Sequence, residues 1–386
     1  MRLISLSYLD KESKWKCSNI KFDELTLLVG ASGVGKTKIL KAIAFLKELA
    51  LGMSIDKSLQ WTLEFEMKGS TYIWEGVSEI YKGDFMRSGD NKVGLVKEVL
   101  IKNPHNENSK FIFKRDNSNI MFFDKDVPKT ASDKSLISIY SEEEELDDVF
   151  RGFRIITSFD FEMEKRMQVA VKINDSDREE LKKRMEKGNK KRVFNALCDA
   201  KLPTLAKLVE ASELFPEVFD EIKEEFKDIF ETVEDIKVIK KLDTSSEDDE
   251  PETLYTLQLK EMGTDYWVNQ SEISAGMYKT LLFIALIKLT GKNSVIILDE
   301  FENSLGINCI ELVASELLNG EKQFITTSHH PYIINKISMK YWKIVTRKGS
   351  EVRVKKASDY KLGKSKHEAF KQLLNLPAYT FGSADE

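Results

Sequence analysis

The run Gly30-Ala31-Ser32-Gly33-Val34-Gly35-Lys36-Thr37 carries the spacing G-x-x-x-x-G-K-T. It follows a strand-like stretch and opens a helix-like one, the context in which this spacing makes a phosphate cradle rather than an ordinary tight turn. Glycines at 30, 33 and 35 let the backbone wrap closely round an anion, and the exposed N–H groups form a nest reinforced by the helix N-terminus. Lys36 is then placed to reach the β- and γ-phosphates of a nucleotide, and the Thr37 hydroxyl to ligate Mg²⁺. ATP and Mg²⁺ are the expected ligands.

A second group lies far downstream. Val295-Ile296-Ile297-Leu298-Asp299-Glu300 is an apolar run ending in two carboxylates. A buried strand of this kind fixes Asp299 near the metal, and Glu300 at the next position can polarise an attacking water as general base. An ordinary strand that stops at an acidic turn is the plainer alternative; together with the glycine-rich loop the run reads as a Walker B segment.

Two shorter groups complete the set. Ile273-Ser274-Ala275-Gly276-Met277 opens an apolar helix just before the Walker B run. In isolation it is a plain helix cap, yet a serine and a glycine at a helix N-terminus also form an anion site. A chain whose own loop already holds phosphates needs such a second site only for a second nucleotide. The simplest geometry is a head-to-tail dimer in which Ser274 and Gly276 face the γ-phosphate held by the other copy. Phe324-Ile325-Thr326-Thr327-Ser328-His329-His330-Pro331 delivers two of the four histidines to a turn, where an imidazole can contact the γ-phosphate. A capping turn is the plainer alternative.

The four groups in this order resemble the ABC-type ATPase heads of the SMC-like and OLD-like superfamily, in particular its compact single-chain prokaryotic members. Ser274-Ala275-Gly276-Met277 is similar to the family's signature, Asp299-Glu300-Phe301-Glu302-Asn303-Ser304-Leu305 to its "DEPENGLHP" segment, and Thr327-Ser328-His329 to its switch-histidine segment. The resemblance implies that Glu300 is the catalytic carboxylate, that Asn303, Ser304 and Leu305 form the D-loop at a dimer interface, and that His329 rather than His330 is the switch histidine. Phe301 replaces a proline, Ser304 a glycine and Gly306 a histidine, and no Q-loop glutamine is evident. No E…DxD cluster of a TOPRIM nuclease follows, so the effector chemistry is expected on a separate polypeptide.

Positioning these groups requires a particular set of elements. Strands are expected over residues 3–8 and 24–29, then a helix over 36–49. Runs at 61–66, 71–74, 96–101, 110–113 and 120–123 are rich in β-branched and aromatic residues and are separated by turn formers, the pattern of an antiparallel meander. Residues 177–241 read as helical, 243–251 as a polar loop, 254–259, 294–298 and 323–327 as strands, and 276–289 as a buried helix. Strand-like stretches at 341–346 and 352–355 and a helix at 366–376 follow. The expected fold is therefore α/β: a P-loop NTPase head of ABC type with an antiparallel β subdomain and a helical insertion. Residues 1–176 and 242–386 would form the head and 177–241 the insertion. No stretch between Lys36 and Ser274 sustains the heptads of a long coiled coil.

At 386 residues and 41% hydrophobic content, the chain can bury a substantial core, while 32% charged residues predict a well-solvated surface. A net charge of −5 argues against a protein coated with nucleic acid. A local basic face at Lys182, Lys183, Arg184, Lys187, Lys190, Lys191 and Arg192 keeps nucleic acid as a candidate partner, against the plainer reading of a solvated helix face. The acidic run Glu142 to Glu145 reads as a solvated loop or helix start. Cys17, Cys198 and Cys309 have neither metal-site nor disulfide-framework spacing, and the N-terminal residues lack a signal-peptide core, so a reducing cytoplasm is expected. The longest apolar run, 281–287, is too short to span a bilayer. Two functions follow: an ATP-hydrolysing dimer that relays nucleotide state to an effector, in phage defence or DNA maintenance as the resemblance implies, or a nucleotide-gated scaffold that sequesters a protein partner. Trp15 is an aromatic placed either to stack on a base or to pack.

Overall fold

Alternation of apolar and polar residues governs the longest sheet. Leu59–Met67 reads buried-exposed-buried almost without interruption, with Leu59, Trp61, Leu63, Phe65 and Met67 on the inner face. Such period-two patterning forms a strand with one face on a core. The computed structural model describes residues 1–81, 92–105, 109–159, 183, 189–200, 202–243, 252–303, 305–363 and 365–383. Lys182, Arg184 and Lys187 of the basic cluster, Ser304 and the polar loop at 244–251 lie outside the described residues.

The chain divides into two compact units, one of residues 1–159, 293–301 and 318–386, the other of 160–292 and 302–317. Among its described residues the first unit is built on one mixed sheet of fourteen strands. At one end Ile156–Phe159, Val295–Leu298, Gln323–Thr327, Leu25–Val29 and Trp342–Lys348 run parallel in that order. The three central strands are buried at every residue, as parallel strands covered on both faces must be. Their register aligns their ends: Leu298 pairs with Thr326, and Thr327 with Leu28. Gly30, Asp299 and Ser328 therefore emerge at the carboxyl edge of the sheet, where ligands bind in open α/β folds.

The sheet continues through Glu351–Lys356 and Lys16–Lys21 into the meander Arg2–Asp10, Leu59–Met67, Ser70–Tyr81, Lys92–Lys102, Lys110–Asp116, Asn119–Phe122 and Lys125–Val127. Helix Lys36–Ala50 buries Ile39, Leu40, Ile43, Leu46, Leu49 and Ala50, one face of a 3.6-residue repeat. Helix Glu144–Arg154 starts within the acidic run; its Phe153 sets its ring edge-on to Phe65 and Trp74 at 5.5 and 5.3 Å. Gly76 leaves the space that Trp61 fills, since a Cβ there would stand 2.1 Å from the indole.

The second unit contains helices Lys190–Asp199, Thr204–Leu214, Pro216–Ile229 and Ala275–Lys288, most of Ile307–Leu318, and a sheet of Val233–Asp243, Glu252–Glu261 and Trp267–Asn269. The helical reading over 177–241 therefore fails at its end, where Val233–Asp243 is a strand. Its Val233, Ile236, Val238 and Ile239 are β-branched, and the antiparallel pairing with Glu252–Glu261 overrides any helical preference. Helix Ala275–Lys288 is buried continuously from Tyr278 to Ile287. The strands Lys16–Lys21, Lys125–Val127, Ile156–Phe159 and Trp267–Asn269 were also not anticipated; all are short, and the first is largely polar. Among the described residues no helix is long and apolar enough to cross a membrane.

Candidate nucleotide site

The glycine-rich loop has the backbone its sequence requires. Gly30, Gly33 and Gly35 all have positive φ, at 147°, 79° and 107°. A side chain at Gly30 would put its Cβ 2.5 Å from the Val345 carbonyl oxygen, and one at Gly35 would stand 2.9 Å from Val352 Cγ2. Nothing crowds Gly33, whose requirement is the dihedral itself. Val34 is buried and Ser32 exposed. Lys36 opens the helix and is itself buried; its Nζ donates to the carbonyl oxygens of Gly30 and Ala31 at 2.9 and 3.0 Å.

Opposite the loop stands Asp299. The Thr37 hydroxyl donates to its Oδ1 at 3.2 Å, and the Thr327 hydroxyl donates to the same oxygen at 2.7 Å. Thr327 in turn accepts the Glu300 amide N–H at 2.8 Å. Glu300 has φ of +43°, an unfavourable conformation for a side-chain-bearing residue, and the hydrogen bond to Thr327 helps to hold it there. The Glu300 carboxylate lies 3.5 Å from His329 Nε2, and both side chains are partly exposed. His330 instead caps helix Pro331–Lys336, with its N–H on the Ser328 hydroxyl at 3.0 Å.

Lys36, Thr37, Asp299, Glu300 and His329 are thus brought to one edge of the first unit's sheet. Ser274, Gly276 and Asn303 lie in the second unit. There Ser274 is the exposed N-cap of helix Ala275–Lys288, its hydroxyl accepting the Met277 N–H at 3.3 Å, so the capping geometry proposed from sequence is present. Lys279, one turn into that helix, donates to the Asn303 carbonyl oxygen at 2.7 Å. Trp15 takes the packing alternative: it is 4% exposed, tilted against Tyr8 at 5.9 Å, and close to Gly35.

Three residues near these groups carried no separate role in the sequence. Thr327 sits at the end of an apolar run, a position that signals a strand edge. Lys279 is a lysine inside a buried helix, an unusual placement that is itself a signal. Arg347, whose guanidinium donates to the Gly33 carbonyl oxygen at 3.3 Å, has no such signature.

The donor set of Thr37 hydroxyl and Asp299 carboxylate fits Mg²⁺, which keeps waters and phosphate oxygens in its shell rather than filling an all-protein cage.

Solved structures similar to this chain are heads of SMC proteins. The Smc head bound to the C-winged helix domain of ScpA is 12% identical, with 92% of this chain and 97% of that chain covered and a TM-score of 0.47. The Smc head domain with an extended coiled coil, bound to the C-terminal domain of ScpA derived from Pyrococcus furiosus, is 14% identical over 97% of this chain and 99% of that one, with a TM-score of 0.39. The SMC head domain from Thermotoga maritima is 15% identical over 92% and 99%, also at 0.39. No curated protein sequence matches the chain. The family described as "AAA domain, putative AbiEii toxin, Type IV TA system" matches residues 25–335, well over half of the chain, and the chain belongs to that family.

Proposed function

We propose that this protein binds and hydrolyses ATP as an ABC-type ATPase, closing head-to-tail on a second copy and relaying its nucleotide state to a separate effector. The observation that carries the reading is the chain of hydrogen bonds from Thr37 through Asp299 and Thr327 to Glu300. It joins the phosphate cradle, the Walker B carboxylates and the switch segment in one constellation, which a merely structural loop would not need.

In this reading the N–H groups of residues 30–37 hold the triphosphate, and Lys36 exchanges its two carbonyl partners for phosphate oxygens. Bound Mg²⁺ neutralises phosphate charge, with Thr37 and Asp299 as its protein ligands. Glu300 takes a proton from the attacking water, and His329, on the Glu300 carboxylate, orients it and contacts the γ-phosphate. Ser274 and Gly276 of a second copy supply the other anion-facing helix end, with Asn303 at the interface between copies. The setting in this reading is the cytoplasm, in phage defence or DNA maintenance.

The test is a pair of variants. Glu300→Gln keeps ATP binding, lowers hydrolysis by about 100-fold or more, the range lost with a general base, and accumulates an ATP-dependent dimer in sedimentation. Lys36→Ala loses nucleotide binding. Hydrolysis by Glu300→Gln at the wild-type rate would overturn the assignment.

A further inference from the structure

The outer side of the phosphate cradle is held by residues that lie beyond the span matched by the family, 25–335. Arg347 is the penultimate residue of the strand Trp342–Lys348, which runs parallel to the loop's own strand with Ile344 opposite Val29. Its guanidinium donates through Nη1 to the Gly33 carbonyl oxygen at 3.3 Å and through Nε to the Gly349 carbonyl oxygen at 2.6 Å. Its backbone N–H donates to the Gly382 carbonyl oxygen at 2.8 Å, and a parallel bridge joins it to Ser383. Gly382 in turn presses on the loop. Its φ is +68°, and a Cβ there would stand 2.2 Å from Val34 Cγ1 and 3.2 Å from Ala31 Cβ.

A loop whose N–H groups converge on an anion must turn some carbonyl groups outward. At the exposed tip, that of Gly33 meets a fixed cation, while Gly382 covers Val34, which is only 5% exposed although it lies in a surface loop. Ala31, Gly33 and Val34 are therefore braced from outside the cradle by one side chain and one short backbone segment. Bracing a loop in its bound shape lowers the ordering cost of binding, and a nearby guanidinium raises the local potential for an anion.

We infer that Arg347 and Gly382 are positioning residues of the nucleotide site, and that docking of residues 377–383 against the cradle and binding of nucleotide reinforce each other. The inference rests on the ATP-binding reading above. Because coupling is reciprocal, ATP should also hold the segment in place.

The test measures binding of a fluorescent ATP analogue with Mg²⁺, steady-state hydrolysis and amide exchange on the intact chain. Arg347→Met weakens binding by about fivefold or more, the order expected for one hydrogen bond of ordinary net strength, and raises KM by more than it lowers kcat. Arg347→Lys recovers part of the loss. Gly382→Val, which must lift the segment off Val34, weakens binding in the same way, and ATP slows exchange of the Arg347 amide in the wild type. Should Gly382→Val fail to fold, Arg347→Met and the exchange measurement decide. Wild-type affinity in Arg347→Met, or no change in Arg347 exchange on adding ATP, overturns the inference, provided that Lys36→Ala loses binding as the control. Failure of the wild type to bind ATP overturns this inference together with the reading beneath it.

Discussion

At the scale of single residues, Thr327 is the hinge of the candidate site. One hydroxyl donates to the Asp299 carboxylate and accepts from the Glu300 backbone N–H, so it fixes one carboxylate of the Walker B segment and the backbone that carries the other. The Glu300 backbone, at a φ of +43°, depends on such a tether. Thr327→Val keeps the shape and the β-branching of the residue while removing the hydroxyl. The Glu300 N–H is then left without this partner, and Asp299 keeps its contact with Thr37. We expect hydrolysis to fall about tenfold or more, with ATP affinity changed much less, because the Thr327 hydroxyl bonds the Walker B residues Asp299 and Glu300. Steady-state kinetics alongside equilibrium binding checks this; an equal loss in both would place Thr327 in binding rather than in positioning the base.

At the scale of elements, the meander is organised around a buried carboxylate. Glu98 accepts hydrogen bonds from Trp74 Nε1, Ser135 Oγ and the Leu136 N–H, and faces Arg115 across the pairing of Lys92–Lys102 with Lys110–Asp116. Both charged residues are almost completely buried, and Arg115 spends its guanidinium on carbonyl groups of residues 131–134. Glu98→Ala would leave three buried donors without this acceptor and remove the largest opposite charge facing Arg115, and should cost about 3–5 kcal/mol in urea unfolding; a loss below about 1 kcal/mol would mean that water replaces the carboxylate. Little of this was visible in advance. β-Branched and aromatic residues between turn formers announced the strands at Trp61, Tyr72 and Phe113. Glu98 looked like any solvent-facing residue of a strand, since its partners come from the distant positions 74, 115, 135 and 136. The same limit hid the strand Lys16–Lys21, where pairing rather than composition decides the structure, and the strand Val233–Asp243, whose partner is Glu252–Glu261. The cradle and Walker B residues were legible because their chemistry dictates local spacing. Arg347 and Gly382 were not, because their relation to Gly33 and Val34 exists only once the sheet has formed.

At the scale of the whole molecule, the motifs fall on two compact units: Lys36, Thr37, Asp299, Glu300 and His329 on the first, Ser274, Gly276 and Asn303 on the second. If the composite-site proposal is right, ATP bound to one copy has contacts with its own first unit and with the second unit of another copy. The two kinds of contact separate in a variant that binds ATP but does not dimerise. Ser274→Arg puts a bulky cation at the exposed helix cap and leaves the cradle's own residues untouched. In this variant ATP should slow amide exchange at residues 30–38 and 299–300, by the ordinary stabilisation that a ligand gives the state it binds. Exchange at the start of helix Ala275–Lys288 should stay as it is without nucleotide. In the wild type, and more strongly in Glu300→Gln, the same ATP should also protect residues 274–278, and that protection should rise with protein concentration, because it comes from a second copy. Protection of residues 274–278 in Ser274→Arg, or protection independent of protein concentration in the wild type, would mean that the helix cap responds to nucleotide within one chain, and the head-to-tail arrangement would have to be abandoned.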